Sequence, residues 1–108
     1  MRMMLHVVIP VETGNAAIRG GQLGPFIQKV LGDLKAEAAY FTESEGSRSG
    51  YIFFDMKDSS ELPAIAEPWF LAFNATLTVK PAMTPQDLAA GGAGMEAAVK
   101  TSPKTFGS

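Results

Sequence analysis

Residues 3–11 read Met-Met-Leu-His-Val-Val-Ile-Pro-Val, and residues 50–56 read Gly-Tyr-Ile-Phe-Phe-Asp-Met. Both runs are short, rich in β-branched or aromatic residues and closed by turn formers, Pro10 to Gly14 ending the first, so both are expected as strands. Successive side chains of a strand point to opposite faces. One parity, Leu5, Val7 and Ile9 with Ile52, Phe54 and Met56, is wholly apolar, as expected of a face covered by helices. The other, Met4, His6 and Val8 with Tyr51, Phe53 and Asp55, is mixed but too aromatic to be left in water.

Working outward, Ala38 to Glu43 reads as a further strand, joined to residues 50–56 by Ser44, Glu45, Gly46 and Ser47, a hairpin composition. A hairpin centred on Glu45 and Gly46 pairs Tyr40 with Tyr51, both on the mixed face. Asn74 to Lys80 alternates again, with Ala75, Leu77 and Val79 against Thr76, Thr78 and Lys80. Between these strands two helices are expected. Gly20, Gly21, Gly24 and Pro25 argue against one unbroken helix and for a loop or a single turn after the first strand, followed by a helix over about 25–35. Asp58 and Glu61 suit a capping box ahead of the apolar stripe Leu62, Ile65, Ala66, Trp69, Phe70 and Phe73, with a kink or tightened turn at Pro68. Thr84 and Pro85 open a short helix to Ala90, and beyond Gly91 the composition turns to Gly, Ala, Ser, Thr and Lys.

The order β-α-β-β-α-β is that of an α+β, ferredoxin-like unit, an antiparallel sheet of order 4-1-3-2 with both helices on one face. The expected organisation is a ferredoxin-like domain over 1–90 and a flexible C-terminal tail over 91–108. The mixed face is most simply buried against a second copy, so a homodimer through the open sheet face is expected.

Composition narrows the chemistry. The 108 residues carry nine Lys and Arg, eleven Asp and Glu, and a net charge of −2, so no basic field awaits nucleic acid or an anionic membrane. No apolar run approaches the roughly 18 to 20 residues of a membrane-spanning helix. At the N-terminus a strand is expected rather than a secretory signal, because His6 interrupts the apolar stretch and Pro10, Glu12 and Gly14 end it early. Having no Cys and a single His, the chain offers no disulfide, thiolate or multi-histidine metal centre. No metal or cofactor is expected, and a cytoplasmic location fits the missing cysteines.

The segments Leu5-His6-Val7-Val8-Ile9-Pro10-Val11, Glu37-Ala38-Ala39-Tyr40-Phe41 and Pro63-Ala64-Ile65-Ala66-Glu67-Pro68 resemble those of a small, functionally uncharacterised bacterial family. Over residues 1 to about 90 the chain also resembles the dimeric α+β-barrel superfamily, which includes muconolactone isomerase-like proteins and antibiotic-biosynthesis monooxygenases. The resemblance implies a fold and a dimer but no reaction, since those enzymes share no short catalytic motif.

His6 is the one side chain whose ordinary pKa lies near neutrality. Aligning the two central strands at their midpoints sets His6 opposite Phe53 and diagonal to Asp55 and Tyr51. A proton shuttle would then use His6 as acid or base, Asp55 to fix its tautomer, and Tyr51 or Tyr40 to donate to a developing enolate. The alternative is a satisfied polar cluster buried at a dimer interface. Tyr40, Phe53 and Thr76 would line a small aromatic cavity for a compact planar organic ligand. Arg19, in the glycine-containing loop with Glu12 and Asn15, would close over a carboxylate at its mouth. Arg48 and Glu43 are expected as exposed charges beside the hairpin. Three functions stay open: a small-molecule binder, a cofactor-free isomerase or monooxygenase acting on an aromatic or lactone-type substrate, and a structural or interaction module with a filled interface.

Overall fold

In the computed structural model, residues 1–102 are described. Strands β1 (Arg2–Ile9), β2 (Ala38–Ser44), β3 (Ser47–Asp55) and β4 (Thr76–Pro81) form one antiparallel sheet. Its hydrogen-bonded order is β2-β3-β1-β4, which reads β4-β1-β3-β2 from the opposite edge. Helices α1 (Val11–Arg19), α2 (Leu23–Leu34) and α3 (Leu62–Phe73) form the helical layer, and α4 (Pro85–Ala90) and α5 (Gly92–Thr101) follow β4. Among the described residues no helix is long and apolar enough to cross a membrane.

The apolar parity is the core. Met3, Leu5, Val7 and Ile9 from β1, Ile52 and Phe54 from β3, and Met56 and Ala75 at strand ends are buried against Ala17, Ile65, Trp69 and Phe73. Half-buried Leu23, Phe26, Ile27, Val30, Leu31 and Leu34 of α2 complete that side. Phe26 meets both Trp69 and Phe73 edge to face, with ring centroids 5.0 and 4.8 Å apart, the arrangement the ring quadrupoles favour. Phe70, counted on the α3 stripe by its spacing, lies at the rim of this packing and is exposed.

The hairpin closes through Glu45 and Gly46, whose φ angles of 50° and 85° are both positive, as a two-residue turn between right-twisted strands requires. The Glu43 carboxylate accepts from Gly46 N–H at 2.9 Å, and Tyr40 stands opposite Tyr51. Asp58 and Glu61 close their capping box over a short 3₁₀ turn, Ser59–Glu61, before α3, which runs through Pro68 as one helix.

Three features depart from the sequence reading. The stretch after β1 is not a loop: α1 occupies 11–19, and its first turn carries Glu12 and its last Arg19, the polarity the helix dipole favours. In sequence, Pro10 to Gly14 reads as the close of the first strand and Gly20, Gly21, Gly24 and Pro25 as breaks, with Gly14 part of the punctuation. The missing side chain of Gly14 is what admits a neighbour, since a Cβ there would fall 2.7 Å from Arg48 Nη1. The helical break comes instead at Gly20–Gln22, where Gly21 has φ 68°. Second, the helical layer therefore holds three helices rather than two. Third, α5 occupies most of the stretch assigned to a tail, its backbone regular and none of its residues buried; residues 103–108 of that tail lie outside the described residues.

Candidate functional site

The uncovered face of the sheet is organised in transverse rows. Tyr40, Tyr51, His6 and Thr78 stand side by side across all four strands. On one side of them runs the row Thr42, Ser49, Val8 and Thr76, and on the other Ala38, Phe53, Met4 and Lys80. Charge is confined to one end of the face, where Lys80 is followed by the pair Arg2 and Asp55. The middle carries no Asp, Glu, Lys or Arg and is aromatic, and Tyr40 is 67% exposed there.

Within the central row His6 and Tyr51 stack, their ring centroids 4.2 Å apart and their planes 2° from parallel. His6 Nε2 lies 2.7 Å from Ser49 Oγ. Ser49 is the buried polar residue of the described chain, at 5% exposure, and this bond gives its hydroxyl a partner, as a buried polar group requires. Depending on the tautomer, Ser49 donates to Nε2 or accepts from it, so the pair can pass a proton or merely hold the ring.

The strand register relocates one expected partner. His6 faces Tyr51 rather than Phe53, and Asp55 faces Arg2, four residues along β1 from His6. A two-residue slip leaves every side chain on its own face, so hydrophobic alternation specifies parity and not this choice. The midpoint estimate went astray because β3 begins at Ser47, three residues before Gly50. Asp55 therefore does not orient His6. It accepts from the N-terminal ammonium of Met1 at 2.7 Å, and that hydrogen bond, reinforced by the charge, holds its carboxyl below the usual carboxylate range. Arg2 pairs with Glu37, whose hydrogen bond and charge raise the guanidinium pKa.

Of the other expected residues, Tyr40, Tyr51, Phe53 and Thr76 share the open face with His6. Arg19 does not: it ends α1, which packs among α2, α3 and β3 in the helical layer. Arg48 is half-buried rather than an exposed flanking charge, and its Nη2 donates to Asn15 Oδ1 at 3.0 Å. Ser49 was overlooked. Its parity matches Tyr51, and starting β3 at the hairpin would have placed it beside His6.

In sequence the chain matches no family model and no curated protein. In fold, 76% of the chain resembles part of a solved formyltetrahydrofolate deformylase from Pseudomonas putida KT2440, with a TM-score of 0.50 and 11% identity. The likeness covers 29% of that protein's length and concerns fold alone.

Proposed function

We propose that this chain is a ferredoxin-like protomer of a cytosolic homodimer, in which two open sheet faces pack together and enclose a small aromatic-lined cavity for a compact planar organic ligand. The supporting observation is the central row of Tyr40, Tyr51, His6 and Thr78, free of Asp, Glu, Lys and Arg, whose stacked His6 and Tyr51 rings are only half-buried and whose Tyr40 is exposed in a single copy. Uncovered aromatic surface of this kind favours association. A two-fold axis near the central row would face β1 of one copy with β1 of the other, while the charges at one end of the sheet remain at the rim.

In such a cavity the His6–Ser49 pair is the proton-handling group, Tyr51 and Tyr40 supply hydroxyl donors, and Phe53 and Thr76 form walls. This assignment drops Asp55, which stands at the charged end of the same face, and Arg19, which lies in the helical layer. Activity as a cofactor-free isomerase or monooxygenase would require His6 to exchange its proton with a bound substrate. The close partnership of His6 with Ser49 and Tyr51 also suits a filled structural interface.

Native mass spectrometry of gently purified protein separates these readings. Twice the 11.5 kDa chain mass plus a retained small molecule supports the cavity. A ligand-free dimer, unchanged on addition of small planar compounds, favours the filled interface, and a monomer at micromolar concentration overturns the proposal.

A further inference from the structure

Strand β2 is one edge of the sheet, with β4 the other. Its two aromatic side chains point to opposite faces. Tyr40 stands in the central row of the open face and is 67% exposed, whereas Phe41 lies over Gly50 on the helical side and is 51% exposed. A partner seated on the open face would cover Tyr40 and leave Phe41 bare. A strand laid alongside the edge meets both.

The two edges are built differently. Within its six residues β4 carries Lys80 and Pro81, a charge and a missing donor of the kind that keeps foreign strands away. The seven residues of β2 hold no Pro, no Lys and one charge, Glu43, whose carboxylate is turned into the hairpin to accept from Gly46 N–H. Its outer backbone is ready to pair. In a hairpin closed by a two-residue turn the flanking residues, here Ser44 and Ser47, exchange both main-chain bonds, and such pairs recur at every second residue. Ala38, Tyr40, Thr42 and Ser44 therefore bond to β3, and the N–H and C=O of Ala39, Phe41 and Glu43 point outward.

We propose that β2 pairs antiparallel with β2 of a second copy about a two-fold axis at Phe41, joining two four-stranded sheets into one of eight strands. Phe41 then faces the partner's Phe41, Tyr40 the partner's Thr42, and Ala39 the partner's Glu43. This register matches all seven residues of the strand, sets outward groups opposite outward groups and keeps the two Glu43 carboxylates apart. A shift either way leaves strand residues unpaired. Pairing β2 with itself also closes after two copies, whereas pairing it with a different edge would open a chain of contacts. About six main-chain bonds and the flanking rings make a contact well short of the roughly 1,600 Å² of a standard interface, so the pairing is weak and concentration-dependent. It lies at the sheet edge, separate from the open-face packing, and does not depend on it.

Amide hydrogen exchange of the full chain, followed by NMR at micromolar and at millimolar concentration, reads the outward groups directly. Exchange of the Ala39, Phe41 and Glu43 amides is expected to slow about tenfold at the higher concentration. Ala39→Pro removes an outward N–H that β3 does not use, an exchange an edge strand accepts. It should keep the wild-type circular dichroism and abolish the slowing at Phe41 and Glu43, whereas Ala39→Ser, which keeps the N–H, should retain it. Thr78→Asp charges the open face on β4, the strand farthest from β2, and should leave the slowing intact. Equal exchange at both concentrations, or slowing that survives Ala39→Pro, would overturn the pairing. Slowing lost in Thr78→Asp would assign the protection to open-face packing, overturning the edge pairing and leaving the open-face dimer standing. Slowing at millimolar concentration in a protein that sediments as a monomer at micromolar would support the edge pairing and overturn the open-face dimer alone. The wild-type and Thr78→Asp measurements decide even if Ala39→Pro does not fold.

Discussion

Phe53 and Phe54 are neighbours in sequence and lie on opposite faces of β3. Phe54 is 1% exposed beneath the helices, whereas Phe53 is half-buried beside Met4 and Ala38 on the open face. The contrast runs through the whole sheet. One face is apolar and complete within a single chain; the other is aromatic, hydroxyl-bearing and uncovered. Equal hydrophobicity thus serves two ends, since the covered face supplies cohesion while the open one keeps polar groups arranged for contact with something outside the chain.

The largest expected effect tests the covered face. Phe54→Ala should lower unfolding free energy by about 3–5 kcal/mol, the usual cost of emptying a buried aromatic site, read from urea denaturation. Phe53→Ala in dilute protein should cost far less, about 1 kcal/mol. If copies associate, its penalty should grow with protein concentration, whereas that of Phe54→Ala should keep the same excess over wild type. Equal penalties for the two at every concentration would erase the distinction between the faces.

Next in size is the central row. His6→Ala leaves the buried Ser49 hydroxyl without its partner and should cost about 1–3 kcal/mol. Ser49→Ala in the His6→Ala background should recover part of that loss, because the unmet group is then gone. A double variant no more stable than His6→Ala would show that Ser49 finds another partner.

The smallest effect is electrostatic and sits at the charged end of the open face. Asp55 has its folded pKa depressed by the N-terminal ammonium. Its contribution is therefore present above the ordinary carboxylate pKa and is lost as pH falls through the depressed folded value. The pair is well exposed, at 61% and 63%, so solvent screens it. Asp55→Asn should only flatten the acid limb of a stability–pH curve below the ordinary carboxylate pKa. A steeper limb in the variant would contradict the pairing.

Parity and the hairpin were legible in the sequence because each rests on short-range chemistry: alternation along Leu5 to Ile9 and Ile52 to Met56, and the turn preference at Glu45–Gly46. Register between β1 and β3 was not, because alternation repeats every two residues and the His6–Tyr51 and His6–Phe53 alignments satisfy it equally. Helix α1 was hidden because Pro10 to Gly14 reads as a strand boundary and Gly20, Gly21, Gly24 and Pro25 as breaks, whereas Gly14 sits within the helix beside Arg48. For α5 the difficulty was different, since a helix that buries none of its residues has no apolar stripe to betray it. The Ser49 partnership was hidden by starting the third strand at Gly50 instead of at the hairpin, where β3 begins.

Helices α4 and α5 carry the chain away from the sheet, giving extents of 58 × 31 × 22 Å and a radius of gyration of 18.2 Å, against about 13 Å for a compact chain of 100 residues. A particle of that form has a Stokes radius larger than its mass implies. In gel filtration a lone protomer would elute early, toward the position of a compact dimer, so elution volume alone would mistake elongation for association. Static light scattering or sedimentation equilibrium, which weigh the particle without assuming its shape, are the measurements to which the subunit count must answer.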